Sequence, residues 1–74
     1  MHPEVSLLEA LRKKYIGDIA VHEANILAYE ISPVGIGEHS DIVQSLDVEV
    51  EKLASAKDKL NAVEILIQNF HIDG

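Results

Sequence analysis

Seventy-four residues make one domain at most, 47% of them apolar, with 13 Asp plus Glu against 6 Lys plus Arg and a formal charge of −7. Such a chain is too short to enclose a large pocket by itself, too apolar to be disordered throughout, and too acidic to be drawn to nucleic acid or an anionic membrane. It contains no cysteine, so disulfides and zinc–thiolate sites are excluded.

The N-terminal stretch carries Glu4 and Glu9 where a secretory leader would carry base, and no apolar run is long enough to span a bilayer. The expectation is a cytoplasmic protein. From Pro3, which a first helical turn tolerates, the chain reads as helix over 4–31. Val5, Leu8, Arg12, Tyr15, Ile19, His22, Ile26 and Tyr29 recur at alternating spacings of three and four, the pattern of a helical seam. Leu11, Ile16, Ala20 and Leu27 are expected to widen that stripe. Gly17 is the one glycine inside the segment, tolerable in a single turn.

Residues 32–40 read as a loop. Pro33 disfavours helical geometry at Ser32 and removes a backbone donor, which ends the first helix near Ile31. Gly35 and Gly37 supply conformational freedom, and Val34 and Ile36 are expected to turn inward and plug the closed end. Gly35-Ile36-Gly37 is superficially like a phosphate loop, but no strand precedes it, no third glycine completes it, and no Lys-Ser/Thr follows.

A second helix is predicted over 41–71. Ser40 or Asp41 can cap it, Asp41 with Gln44 has capping-box spacing, and Glu38 and Asp41 put negative charge at the positive end of its dipole. Ile42, Leu46, Glu49, Leu53, Ala56, Leu60, Val63, Ile67 and Phe70 form its seam. Two such helices about one short loop fold back antiparallel. The predicted fold is therefore all-α, a coiled-coil-like hairpin. Matching the seams sets Ile26 against Leu46, Ile19 against Leu53, Leu11 against Leu60 and Val5 against Ile67, with Lys14 reaching towards Asp58.

Two helices bury one stripe each, and apolar side chains are left over at the open end. Ile65, Leu66 and Ile67 lie about 100° apart around the helix, so a single neighbour cannot cover all three. Leu7, Leu11, Ile65, Leu66, Phe70 and Ile72 are accordingly the predicted oligomer interface, with the outer helix faces, including Ala24, Leu27 and Ala28, expected to contribute; pairing of two hairpins into a four-helix bundle, a homodimer or a larger helical oligomer built from such pairs, is the predicted outcome.

Candidate chemistry centres on the four histidines. His22-Glu23 lacks the second His of a zincin, position 26 being Ile, and no Glu stands three residues before any His, so di-iron spacing fails as well. His2 and His71 could approach each other only at the open end, where side chains are solvated. No metal or cofactor is expected. His22 and Glu49 both occupy seam positions and fall opposite each other in the matched register. A buried polar pair fixing that register is the favoured reading. The competing one is a small enzymatic or metal-binding site around His22, Glu23 and Glu49 at an oligomer interface. Arg12, also on the seam, is expected to reach solvent or to meet Glu9 or Glu64. Arg12-Lys13-Lys14 is the only basic run, a solvated face supported by Glu9 four residues before Lys13.

The stretch Pro33-Val34-Gly35-Ile36-Gly37-Glu38-His39-Ser40-Asp41-Ile42-Val43, running into Leu46-Asp47 and Glu51-Lys52-Leu53-Ala54, resembles small uncharacterised helical proteins of marine cyanobacterial tailed bacteriophages. Lys13-Lys14-Tyr15-Ile16-Gly17-Asp18-Ile19-Ala20 is also similar. That family carries Asn before the loop proline and Pro at the position of Ser40, where this chain has Ser32 and Ser40. The resemblance spans about residues 10–60 and implies no activity or catalytic residue, only a phage or marine setting, and with it the host cytoplasm or the virion. The expectation for function is a non-enzymatic module that self-associates and presents its loop or acidic face to a protein partner, with no nucleic acid and no membrane involved. Inhibition of a host protein by a phage accessory protein is a third possibility that the residues neither support nor oppose.

Overall fold

The computed structural model describes residues 6–31 and 39–70, and every described residue except Ser6 is helical. α1 spans Leu7–Ile31 and α2 spans His39–Phe70. The two pack along their length into a rod of 53 × 17 × 14 Å. Contacts between them run in opposite directions: Asn25 and His22 both reach Glu49, while Tyr15, earlier in α1, lies beside Lys59, later in α2. The fold is an all-α antiparallel hairpin, and no strand occurs among the described residues.

Both helix starts differ from the sequence expectation. α1 begins at Leu7 because Ser6 caps it. The Ser6 hydroxyl accepts a hydrogen bond from the Glu9 amide at 2.9 Å, and its carbonyl accepts the first intrahelical bond, from the Ala10 amide at 3.1 Å. An unpaired amide in the first turn is thereby satisfied, which Pro3 could not do. α2 begins at His39, two residues before the expected start, and Asp41 lies inside its first turn, where its charge complements the dipole. The loop residues Pro33, Gly35 and Gly37, together with Val5, His2, His71 and Ile72, lie outside the described residues.

The seam is where the heptads place it. Ile42, Ala56 and Val63 are buried, and Leu46, Glu49, Leu53, Leu60 and Ile67 on the same helix are half-buried, as are Leu8, Arg12, Tyr15, Ile19, His22, Ile26 and Tyr29 on α1. Seam residue Phe70 departs from the pattern and is 65% exposed. Its place at the last turn of α2 leaves it beyond the end of the Leu7–Ile31 helix that would cover it. Of the residues expected to widen the α1 stripe, only Leu11 is half-buried; Ile16, Ala20 and Leu27 are exposed. A single neighbouring cylinder covers one stripe of a helix, and those three side chains point away from it. Buried side chains are consequently few. A two-helix chain has too much surface for its volume to do better.

Candidate functional site

Halfway along the hairpin, the two helices meet through polar rather than apolar side chains. His22 is carried on α1 at a seam position, and Glu49 stands opposite it on α2. The His22 ring nitrogen Nδ1 lies 3.0 Å from Glu49 Oε1. An ionised carboxylate only accepts, so Nδ1 is the donor. Asn25, one turn further along α1, donates its side-chain amide to the same oxygen at 3.3 Å. The side chains of His22 and Glu49 are 19% and 15% exposed, so the pair is largely screened from water. The bonds from His22 and then Asn25 hold the Glu49 carboxyl below its ordinary value, with the charges of His22 and Lys52 acting in the same direction and desolvation opposing them.

Beside this pair a shallow open groove of about 420 Å³ runs along one flank of the helix interface. Lys14, Tyr15, Asp18 and His22 line it from α1, and Lys52 and Lys59 from α2. Two ammonium groups approach the Tyr15 ring, Lys14 Nζ at 5.6 Å and Lys59 Nζ at 5.8 Å from its centroid, within cation–π range. Lys14 also donates to Asp18 at 2.8 Å, and that bond keeps the Asp18 carboxyl low, helped by the nearby charges of Lys14, His22 and Lys59.

This pairing corrects one expectation: Lys14 engages Asp18, one turn along its own helix, and not Asp58 across the hairpin. A residue four positions away is a closer neighbour on a helix surface than one on the outward side of the opposite helix. Arg12 meets Glu9, as one of the anticipated alternatives had it. Both its Nε and its Nη2 approach Glu9 Oε2, at 3.0 and 2.6 Å. This contact draws the Glu9 carboxyl down and the Arg12 guanidinium up, and Glu64 adds to the latter. The Glu9 carboxylate hydrogen-bonds Arg12, while the charge of the expected partner Lys13 also helps to draw it down.

The histidine and the carboxylate at seam positions are thus brought together. Glu23 is not brought to them: it is exposed, about 100° further round α1 than His22. Among the described residues, no three His, Asp or Glu side chains converge as a metal would require. Asn25 was missed by sequence reasoning. Its signal was its place one turn after His22, within reach of any carboxylate that His22 can reach.

The predicted interface residues fall into two groups. Leu7, Ile65, Leu66 and Phe70 are exposed, Leu7 at 87%; Leu11 is half-buried against the hairpin. No described helix is long and apolar enough to cross a membrane. No family model, no characterised protein and no solved structure matches the chain.

Proposed function

We propose that this chain is a non-enzymatic helical interaction module that associates with itself and offers its acidic surface to a protein partner. One observation carries the reading. The hairpin buries only Ile42, Ala56 and Val63 among its described hydrophobic residues, while eleven large hydrophobic side chains remain exposed. A free hairpin of this kind forfeits part of the about 1.5–3 kcal/mol that full burial of each such side chain is worth, against a total stability of only about 5–15 kcal/mol for an ordinary domain. Association recovers part of that, and two-fold homodimers are its commonest form. The His22–Glu49–Asn25 cluster fits this reading as the polar pin that fixes how the helices align, a role buried polar pairs take in coiled coils.

The formal charge of −7 favours a protein partner over nucleic acid or an anionic membrane. The phage resemblance of the loop adds a setting to the same proposal: an accessory protein working in the host cytoplasm or carried in the virion. Sedimentation equilibrium at micromolar concentration tests the central claim. A mass of twice 8.1 kDa or more, with a melting temperature that climbs with protein concentration, is the expected result. A monomer throughout that range refutes self-association.

A further inference from the structure

The two helices differ on the side turned away from each other. Within about 60° of its outward direction α2 carries mostly polar side chains, among them Gln44, Asp47, Glu51, Ser55 and Asp58, with Ile65 the one large apolar exception. Outward residues of α1 are not mostly polar. Gly17, Ala20, Val21, Ala24, Leu27, Ala28 and Ile31 all fall within about 60° of Ala24 around the helix, and all are exposed. Between Tyr15 and Ile31 the charged residues Asp18, Glu23 and Glu30 lie at least about 100° from Ala24, outside this strip. Val21, Leu27 and Ile31 are 56%, 58% and 71% exposed. α1 therefore carries a second seam, opposite the one that binds α2, with the same spacing of three and four.

We infer that this outer face of α1 is the self-association surface, and that a second copy of the chain covers it with its own α1, antiparallel, about a two-fold axis at Ala24. The inference rests on the self-association reading and specifies its surface. Its first support is self-complementarity. A two-fold axis at Ala24 sets Leu27 against Ala20 of the second copy, Val21 against Ala28, and Ile31 against Gly17. Each pairing matches a large side chain with a small one, the condition for interdigitated packing. Gly17 has room for this, since a Cβ built there meets nothing within 4 Å. A parallel arrangement would instead set Ile31 on Ile31 and leave Gly17 facing Gly17.

Charge agrees. The last turn of α1 has no basic residue to offset its dipole and includes Glu30. The antiparallel axis brings Lys13 and Lys14 of the second copy towards that end, where cations are favoured.

Cysteine cross-linking of the full chain under a mild oxidant such as oxidised glutathione tests the geometry. Ala24→Cys is expected to form a covalent dimer, because two residues on the axis between closely packed helices come within the roughly 4.4–6.8 Å Cα separation a disulfide needs. Leu66→Cys is expected to remain uncoupled. In parallel, Leu27→Asp should weaken the dimer by roughly 30-fold or more, the size of an interface hot spot, while circular dichroism stays helical. Suppose the wild type sediments as a dimer, Leu27→Asp leaves that dimer intact, and the Leu66→Cys protein couples while the Ala24→Cys protein does not. The chain then self-associates through another surface, and this inference fails alone. A wild-type monomer removes both it and the reading it rests on. Should Leu27→Asp unfold, the comparison of Ala24→Cys with Leu66→Cys still decides.

Discussion

His22 Nδ1 and Glu49 Oε1 stand 3.0 Å apart across the hairpin, at the one place where both seams present a polar side chain. A slip of one heptad would set His22 against Ile42 or Ala56 and Glu49 against Tyr15 or Tyr29, separating the carboxylate from its imidazole donor. The pair therefore selects one register among several that the apolar residues would tolerate. The expected consequence is non-additivity. His22→Leu and Glu49→Leu should each lower the melting temperature with the hairpin still helical, and the double substitution should recover most or all of the loss, because two apolar side chains leave no orphaned polar group. Thermal unfolding of the four proteins checks this. Equal melting temperatures for all four would remove the pair from any role in stability, and loss of a ligand or an activity in the folded His22→Leu protein would revive the enzymatic reading.

Acidification should act through the same carboxylate. The Glu49 carboxyl is held below its ordinary value of 4.5 in the folded chain, first by its bonds to His22 and Asn25. A group with a depressed folded pKa contributes stability above its unfolded pKa and loses that contribution as pH falls through the folded one. Comparing the wild type with Glu49→Gln isolates this effect from the relief of general negative repulsion. The wild type should be the more stable at neutral pH, and the gap should close as pH falls below the ordinary value of 4.5 and through the depressed folded one. Urea titrations of both proteins across that range supply the measurement, and a gap independent of pH would contradict the assignment.

Much of the hairpin was legible because its information is periodic. Fifteen seam positions from Leu8 to Ile67 are buried or half-buried as the spacing requires, and His22 could be matched to Glu49 by register alone. What escaped depends on competition between local groups. Pro3 and Ser6 are both plausible starts for α1, and only the hydrogen bond from the Glu9 amide to the Ser6 hydroxyl decides between them. Ser6-Leu7-Leu8-Glu9 does spell a capping box, a signal present in the sequence beside the equally local signal of the proline. Lys14 had two acidic candidates, and the nearer one on its own helix won. The outer face of α1 was seen only in fragments, because Gly and Ala barely register as hydrophobic, and their meaning lies in which side of the helix they share.

The Ser6 cap has a measurable weight. Its hydroxyl satisfies one of the unpaired amides of the first turn, and the Glu9 side chain, which could complete the box by reaching back, is engaged by Arg12 instead. Only one half of the box operates. Ser6→Ala should therefore cost about 1 kcal/mol, lowering the melting temperature by roughly 4–8 °C for a domain of this size. Ser6→Asp should preserve stability by retaining an acceptor next to the positive end of the dipole. Thermal circular dichroism on the two variants is sufficient. An unchanged melting temperature for Ser6→Ala would mean that the first turn of α1 contributes nothing to the cooperative unit.

Gly17 separates the hairpin from its assembly. In a single hairpin, glycine in mid-helix is only a cost: a Cβ there meets nothing within 4 Å, and alanine should stabilise the helix by about 0.5–1 kcal/mol by restricting the unfolded chain. In the antiparallel dimer the same position receives Ile31 of the second copy, and an added methyl narrows that seat. Gly17→Ala should accordingly raise the melting temperature at low protein concentration, where hairpins are separate. The advantage should shrink or reverse at high concentration, where overpacking opposes association. Thermal unfolding at the two extremes of concentration reads the difference directly. A gain of equal size at both would show that no side chain packs on Gly17, and would leave its presence in α1 without a role in association.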